Sequence, residues 1–436
     1  MRALAGLVAA ALVGRLYGPA VLGAFSVALL VVACLTPLAA LGTDLLSLDA
    51  AARSRPGRDA GDADMTALAV LAAIGSLIVG AACVITAWMV GALGGGATSV
   101  LIRSALIYTA LQLPAYNPGA ALLFAVQGKG NLLPKIVTLH ILGPAFRAAL
   151  LGVASVMGWG PWVVAISFPA TGALALLGGL VAFKRTMQIN PGHLFRRGIL
   201  SLSRHHVLRG WQVGTAATFG VGLGAFDTIS LGLVADPAAV GVYAALSRIL
   251  SVGQILHTAG SNILYPRLSR ALATPDSEYG PRITSQFAAV LAIGSGLAYG
   301  IMGCMGDRIV TAVYGAEFRI DPVVAVVVAL GTLSIWMTAY VGYALVVLDR
   351  AKWERIAVLG GVMLGVGIIV GSGARLGGLA AALGVLAAGT FSTLIRLAKV
   401  SREPAWMGLV AARSYGTALV AFSSTVVVCK LLLAKP

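Results

Sequence analysis

The segment YGPAVLGAF, residues 17–25, is matched in the second half of the chain by ADPAAVGVY, residues 235–243. A second pair follows, LGTDLL at 41–46 and AGSNIL at 259–264. Both pairs keep an offset of 218 residues, half of the 436-residue chain. Matches that hold one offset over about a helix length indicate an internal duplication. The fold is therefore expected to contain two related halves.

Composition restricts the class of protein. Hydrophobic residues make up 59% of the chain, charged residues make up 11%, and the mean hydropathy is +0.94. A soluble chain of this length cannot cover that much apolar surface with so little charge. The four cysteines are isolated in apolar runs, and their spacing fits neither a metal site nor a disulfide framework. The chain is expected to be an all-α polytopic membrane protein.

Long apolar runs, most of them near the 20 residues that span a bilayer, alternate with glycine, proline and charged punctuation. They predict about 13 transmembrane helices, at residues 3–14, 20–42, 65–90, 100–126, 132–157, 160–183, 208–234, 239–264, 285–306, 323–347, 354–372, 376–396 and 408–432.

The net charge of +16 is explained by membrane topology rather than by a nucleic-acid partner. Lys and Arg are several-fold more frequent in the connections after even-numbered spans than in those after odd-numbered spans. Because positive loops stay in the cytoplasm, the amino terminus and the even-numbered connections are predicted to be cytoplasmic.

The repeated turn follows the first helix of each half, so both halves enter the membrane from the same side. This predicts two six-helix lobes in a parallel pseudo-repeat, which enclose a central cleft of the kind used by transporters. The first helix is about ten residues shorter than its counterpart in the second half. The expected domains are an N-terminal lobe (1–183), a basic cytoplasmic linker (184–207), a C-terminal lobe (208–400) and an extra transmembrane helix (401–436).

Charges inside predicted spans identify candidate binding residues. A charge in the bilayer is energetically costly, so its presence indicates a structural or functional role. Arg147, Asp227 and Arg248 lie well inside their spans. Asp227 and Arg248 are at similar depths on neighbouring helices, which suggests an ion pair. Such a pair is either structural or a resting state in which Arg248 is ready to capture an anionic substrate.

The eighth predicted span also carries a polar face, whose members recur at steps of three and four residues. Such a face next to an arginine favours a water-filled cavity over simple helix packing. Arg147 is a second candidate cation, and Arg103 lies near a helix end from which it could snorkel. The polar face consists of Ser247, Ser251, Gln254, Thr258 and Ser261, with Arg248, His257 and Asn262 beside it. The predicted substrate-binding residues are Arg248, Arg147, Asp227, Gln254, Ser251, Asn262 and Arg103.

Catalytic signatures are missing from the sequence. No phosphate-binding loop, metal-ligand cluster or acid dyad is present, and no soluble segment is large enough to carry one. The chain is therefore not expected to be an enzyme, to hydrolyse ATP or to bind a cofactor or a metal.

Several segments, in this order, resemble the Wzx-type oligosaccharide flippases of the multidrug/oligosaccharidyl-lipid/polysaccharide (MOP) superfamily: GRLYGPAVLGAFSVALL, FAVQGKGN, FDTISLGLVADPAAVGVYAALSRI, NILYPRLSRAL and AVYGAEF. The resemblance implies two six-helix bundles, alternating access and transfer of an undecaprenyl-diphosphate-linked oligosaccharide from the inner to the outer leaflet. In related lipid II flippases an acidic residue precedes an arginine in span 8. Arg248 matches that arginine, whereas Ser247 departs from the acidic residue, which argues against lipid II as the substrate.

This resemblance further implies a bacterial cytoplasmic membrane location, contact with membrane lipids, and work alongside a polymerase and glycosyltransferases in surface polysaccharide biosynthesis. Two alternatives remain open at this stage. A cation-coupled drug exporter of the same superfamily should have acidic residues in its cavity, whereas this chain has mainly arginines. The other alternative is a non-transporting component of a glycan pathway. A polymerase of such a pathway should carry a large polar outer loop, whereas the outer connections of this chain are short.

The topology can be tested with reporter fusions. We expect fusions near Arg55, Arg196 and Lys352 to report the cytoplasm, and fusions near Gly95 and Asp236 to report the outside, because positive loops are retained inside. Paired phosphatase and fluorescent-protein fusions at each position make the measurement. One reproducible inversion among the five would break the parallel alignment of the lobes.

Overall fold

A computed structural model describes residues 2–53, 59–93, 97–187, 204–254, 279–347, 350–400 and 405–433. Every regular element in these ranges is helical. The chain separates into two compact units, Met1–Ala225 and Phe226–Pro436. The sequence-based prediction of an all-α chain built from two parts is consistent with this architecture.

In the described residues of the first unit there are seven helices. The fifth of them includes a π-helical segment, Ile136–Leu142, which the sequence did not signal. The bounds are α1 Arg2–Ala39, α2 Thr43–Arg53, α3 Asp59–Leu93, α4 Ala97–Gly128, α5 Leu133–Val156, α6 Trp162–Met187 and α7 Arg204–Gly222.

The second unit contains the remaining helices of the described ranges. The bounds are α8 Phe226–Val234, α9 237–254, α10 Tyr279–Tyr314, α11 Pro322–Met337, α12 Ala339–Val347, α13 Ala351–Leu376, α14 Gly378–Val400 and α15 Ala405–Leu433.

Within the described ranges, nine helical stretches are long and apolar enough to cross a membrane. Large apolar side chains point outward from them, for example Trp88, Val290 and Met363, which are 72%, 71% and 75% exposed. A soluble protein rarely exposes so much apolar surface, whereas lipid accommodates it. The chain is a multi-pass membrane protein.

Within the described residues, the predicted spans coincide with helices, with parts of one interrupted helix or with helix pairs. The part of the predicted span 239–264 after residue 254 lies outside the described residues. The turn expected in YGPA occurs at Gly18, whose φ of 77° interrupts α1. Pro19 follows it at a position where the missing N–H is tolerated, since a new helical segment begins there. The seventh predicted span is divided into α7 and α8, and the tenth is divided at Thr338 into α11 and α12.

Both units contain a close helix crossing made possible by a pair of glycines. In the first unit, a Cβ added to Gly179 of α6 would lie 2.6 Å from the carbonyl oxygen of Gly119 in α4. In the second unit, a Cβ added to Gly389 of α14 would lie 2.7 Å from the carbonyl oxygen of Gly331 in α11. Membrane helices associate through such small-residue contacts because lipid provides no hydrophobic drive. The same crossing in both units supports the duplication.

The helix α7 packs in the first unit, although the sequence placed residues from 208 onward in the C-terminal lobe. Gly210 and Gly214 lie against the carbonyl oxygens of Leu41 and Pro37, and a Cβ on either glycine would come within 2.6 Å of them. Arg209 also forms a salt bridge of 3.1 Å with Asp49 of α2. The division into two compact units falls after Ala225, and the lobe bounds expected from the repeat stay a prediction.

A buried ion pair connects three helices of the second unit. Arg396 of α14 makes bidentate hydrogen bonds to Glu354 of α13, at 2.9 Å from Nε and 2.6 Å from Nη2. Its Nη1 donates to the carbonyl oxygen of Ile335 and to the hydroxyl of Thr338, at 3.4 and 3.2 Å. The Arg396 side chain is only 3% exposed. Bidentate pairing and the extra acceptors satisfy a charge that burial would otherwise make unfavourable.

We expect Arg396→Ala to destabilise the protein by about 3–5 kcal/mol, the loss that follows when a buried ion pair is broken and its partner left uncompensated. The melting temperature of the detergent-purified protein provides the measurement. Arg355→Ala removes an equal charge at an exposed position on α13 and should change stability by no more than about 0.5 kcal/mol. Equal melting temperatures for the two variants would contradict a structural role for the pair.

Candidate substrate-binding residues

Arg147 of α5 lies in an aromatic and hydroxyl environment within the first unit. Its Nη2 donates to the hydroxyl of Thr171 at 2.9 Å. The guanidinium carbon lies 4.7 Å from the ring centroid of Phe168 and 6.0 Å from that of Phe25. These contacts hold the guanidinium by cation–π attraction and one neutral hydrogen bond. None of these three neighbours neutralises its charge.

The aromatic wall beside Arg147 is itself fixed by packing. Phe168 is fully buried. It stacks on Tyr108 at a centroid distance of 5.1 Å and meets Phe25 edge-on at 5.8 Å. Offset and edge-to-face geometries are the favoured arrangements of aromatic pairs. Helices α1, α4 and α6 together therefore determine where the half-buried Arg147 is held.

Asp227 is buried in the first turn of α8, where it is engaged by neutral donors. The hydroxyl of Tyr243 in α9 donates to its Oδ2 at 2.7 Å. The backbone N–H of Thr228 donates to its Oδ1 at 2.7 Å. A carboxylate at a helix N-terminus is also favoured by the helix dipole. The site is therefore a hydrogen-bonded acidic group that joins α8 to α9.

The predicted ion pair between Asp227 and Arg248 is absent from the described residues, so that expectation is wrong. The reason is the position of the turn between α8 and α9, at residues 235–236. Counted from this turn, residues 243 and 244 lie level with Asp227, whereas Arg248 lies about one helical turn deeper. Tyr243 therefore occupies the place opposite the carboxylate.

Arg248 is half-buried on α9, and none of the described residues forms an ion pair with it. The hydroxyl of Ser251 donates back to the carbonyl oxygen of Arg248 at 2.6 Å, so this member of the polar face is satisfied within its own helix. Because the Arg248 guanidinium forms no ion pair with a described carboxylate, it can bind an anion without first breaking such a pair.

The remaining predicted residues are more scattered. Gln254 is half-buried near the end of the described part of α9, and Arg103 is exposed on α4. Asn262 lies outside the described residues, as do His257, Thr258 and Ser261. The structure thus places Arg147 in one unit, and Asp227, Arg248, Ser251 and Gln254 together on α8 and α9 of the other.

Sequence reasoning missed the partners that orient these charges. Tyr243 was visible as the repeat counterpart of Phe25, and both positions are occupied by rings that contact an ionic side chain. Glu354 and Arg396 each fell at the end of a predicted span, where charges usually mark topology. Among the described residues, no group of three or more His, Cys, Asp or Glu side chains is placed to hold a metal ion.

Comparison with solved structures identifies the architecture. The chain is similar to a multidrug resistance MATE family transporter of the MOP superfamily in its inward-facing conformation, with a TM-score of 0.65 and 14% identity over 98% of this chain and 95% of that one. It is also similar to the lipid II flippase MurJ in an inward closed conformation, with a TM-score of 0.68 and 12% identity over 99% and 96% of the two chains. At these identities the likeness shows the fold alone, which this chain shares with both proteins.

None of the curated proteins compared with the chain matches it. Comparison with family models does give a match, which agrees with the sequence motifs. The model of the polysaccharide biosynthesis protein family matches residues 1–272, which include Arg147, Asp227 and Arg248. The match covers more than half of the chain, and the chain belongs to the polysaccharide biosynthesis protein family.

Proposed function

We propose that the protein is a flippase of the bacterial cytoplasmic membrane, not an enzyme, with its amino terminus in the cytoplasm. It carries an undecaprenyl-diphosphate-linked oligosaccharide from the inner to the outer leaflet for surface polysaccharide biosynthesis. Glycosyltransferases that build the glycan and a polymerase that consumes it are the partners this activity requires. The family membership and the transporter fold support this assignment.

The proposal rests mainly on the environment of Arg248. It is half-buried in a helix of a membrane protein, and no described carboxylate neutralises it. An uncompensated cation at membrane depth is unfavourable unless it serves a ligand or a pathway. A diphosphate suits a guanidinium, because two of its oxygens accept parallel hydrogen bonds from the planar fork.

The mechanism assigns separate tasks to the charged residues. Arg248 captures the diphosphate, and Arg147, oriented by Phe168 and Thr171, is a second cation for an anionic headgroup. The glycan occupies a hydrated cleft while the polyprenyl tail remains in lipid. Translocation follows because binding shifts the balance between inward-open and outward-open states, which requires that the two states bind the diphosphate with different free energies.

A cation-coupled drug exporter is the second candidate, since one of the similar structures is a multidrug transporter. Such an exporter needs accessible acidic groups to bind cations. Asp227 and Glu354 are engaged, the first by Tyr243 and the second by Arg396. This arrangement favours recognition of an anionic substrate over a cationic one.

Substitution of Arg248 tests the proposal. We expect Arg248→Ala to abolish surface polysaccharide export while membrane abundance stays unchanged, because the substitution leaves none of the described carboxylates unpaired. Arg248→Lys should restore little export, since a point charge does not reproduce bidentate pairing. Arg147→Ala should give a milder defect. Export is measured by surface glycan staining in cells whose only copy carries the variant, and abundance by immunoblotting of membranes.

Two further variants provide the controls. Arg308→Ala removes an exposed arginine near the end of α10 and should leave export normal. Adding Asp227→Ala to Arg248→Ala should not restore export, because the two residues are not paired. Normal export by the Arg248→Ala variant, or recovery in the double variant, would overturn the assignment of Arg248 to the substrate.

A further inference from the structure

Helices α10 and α15 of the second unit meet along a series of small residues that recur at every fourth position. The series begins with Gly296 and Gly300 on α10 and with Ala421 and Thr425 on α15. A Cβ added to Gly296 would lie 2.7 Å from the Cβ of Ala421. One added to Gly300 would lie 2.7 Å from the Cβ of Thr425. Small residues at this spacing allow membrane helices to approach closely, and the two contacts fix the register of α10 against α15.

This register brings two cysteines together. Both glycine contacts join residues that are 125 positions apart, and the numbers rise together along the two helices, so α10 and α15 are parallel neighbours. Four positions after Gly300 comes Cys304, and four positions after Thr425 comes Cys429, which keeps the same offset. Residues four apart lie on one face of a helix, so the next contact of the series pairs the cysteines. Their thiols interact by hydrogen bonding and electrostatically, as the register requires.

The sequence did not signal this pair, because the contact depends on the packing of two helices that are distant in the chain. Sequence spacing made all four cysteines look isolated. The structure changes that interpretation for Cys304 and Cys429, whose thiols are half-buried at the surface between α10 and α15.

Cationic side chains lie beside the cysteine pair. Arg308 is one helical turn after Cys304, Lys430 directly follows Cys429, and both cations act on the Cys304 thiol. A positive charge stabilises a thiolate, which is the species that attacks a disulfide. Lys430 on α15 and Asp307 on α10 are also the first charged residues after long apolar stretches. The pair therefore lies near a membrane surface, where a water-soluble reagent can reach it.

We propose that Cys304 and Cys429 are a redox-active pair that forms a reversible disulfide between α10 and α15 by exchange with a soluble disulfide. The thiolate of one cysteine attacks the soluble disulfide, which gives a mixed disulfide and releases one thiol. The thiolate of the other cysteine then attacks the sulfur of the first and releases the second thiol. Two cysteine thiols are thus oxidised to one disulfide, the soluble disulfide is reduced to two thiols, and the two cysteine protons pass to them.

The side of the membrane decides whether such a bond persists. Under the proposed orientation, the connection before α10 is cytoplasmic, so α10 and the parallel helix α15 both end outside. Disulfides persist outside the cytoplasm, whereas cytoplasmic thiol systems keep cysteines reduced. Hydroxyl contacts of Ser414 and Tyr415 already hold the first half of α15 to α12 and α11. The disulfide would fix the second half of this helix, which lies beyond the twelve helices of the predicted repeat.

Oxidation of the purified full-length protein tests the pairing independently of membrane orientation. In a variant with Cys34→Ala and Cys83→Ala, only Cys304 and Cys429 remain. Oxidised glutathione should remove both free thiols, which maleimide labelling under denaturing conditions counts, and mass spectrometry of a non-reduced digest should show the two cysteine peptides linked. The melting temperature should rise by several degrees, because the bond closes a long loop, and dithiothreitol should reverse the rise.

Exchange of two neighbouring residues gives the matched control. Cys429→Val combined with Val428→Cys keeps the composition and depth but moves the thiol to an outward position, where Val428 is 53% exposed. This control should form no internal disulfide and show no reversible rise in melting temperature. Equal cross-linking in the control, two free thiols in the parent variant, or glutathione attached separately to each cysteine of the parent would overturn the pairing.

The state of the thiols in cells tests the redox role separately. Cells quenched in acid and then labelled with maleimide should yield protein in which Cys304 and Cys429 are linked, and growth with dithiothreitol should free both thiols. A pair that cross-links when purified but stays reduced in cells would overturn the redox role. Transport is measured separately with the Arg248 variants, so failure of the cysteine pair and failure of the proposed function give different results.

Discussion

The arrangement of this protein depends on the free energy of placing an ionised side chain inside a bilayer. Charged side chains within the spans that the sequence predicts are compensated in different ways. Arg396 is compensated by a carboxylate, Asp227 by hydroxyl and amide donors, and Arg147 by ring faces and a hydroxyl. Arg248 differs from these three, because among the described residues its guanidinium has neither an ion-pair partner nor a ring contact. A charge whose compensation is incomplete is the one that an anionic ligand can stabilise.

The repeat shows how one scaffold acquires two kinds of ionic site. Position 25 in the first half and position 243 in the second are related by the 218-residue offset. Phe25 presents a ring to the cation of Arg147, whereas Tyr243 presents a hydroxyl to the carboxylate of Asp227. A single hydroxyl group separates the two side chains. The duplicated backbone supplies the position, and the added oxygen changes the sign of the charge that the position accepts.

Much of this fold could be predicted from the sequence, because long apolar runs, positive loops and a repeated turn report directly on membrane helices. The positions of the helices, including the break at Gly18, follow from those signals. The partners of the buried charges could not be predicted in the same way. A depth estimate from span ends placed Arg248 opposite Asp227, but the turn at 235–236 aligns Tyr243 instead, and the error is only about one helical turn.

The ion pair of Glu354 and Arg396 shows a second limit of sequence reasoning. Both residues stand at span ends, where a charge needs no partner, so nothing in the local pattern pointed to a bidentate contact between α13 and α14. Only the packing of the second unit brings them together. The crossing of α13 and α14 at Gly361 and Gly365 provides that proximity, since a Cβ on either glycine would lie 2.8 Å from a carbonyl oxygen of α14.

These internal bonds also bear on how a flippase of this design would work. The network of Arg396 reaches α11, α13 and α14, and the bond between Tyr243 and Asp227 joins α8 to α9. Charges satisfied within a group of helices need no new partner when that group moves. A ligand shifts the equilibrium between two conformations only by its differential affinity for them. A substrate therefore shifts this equilibrium through the groups whose electrostatic compensation it changes. Under the proposed function, Arg248 is such a group, and the paired charges keep the surrounding helices together while it acts.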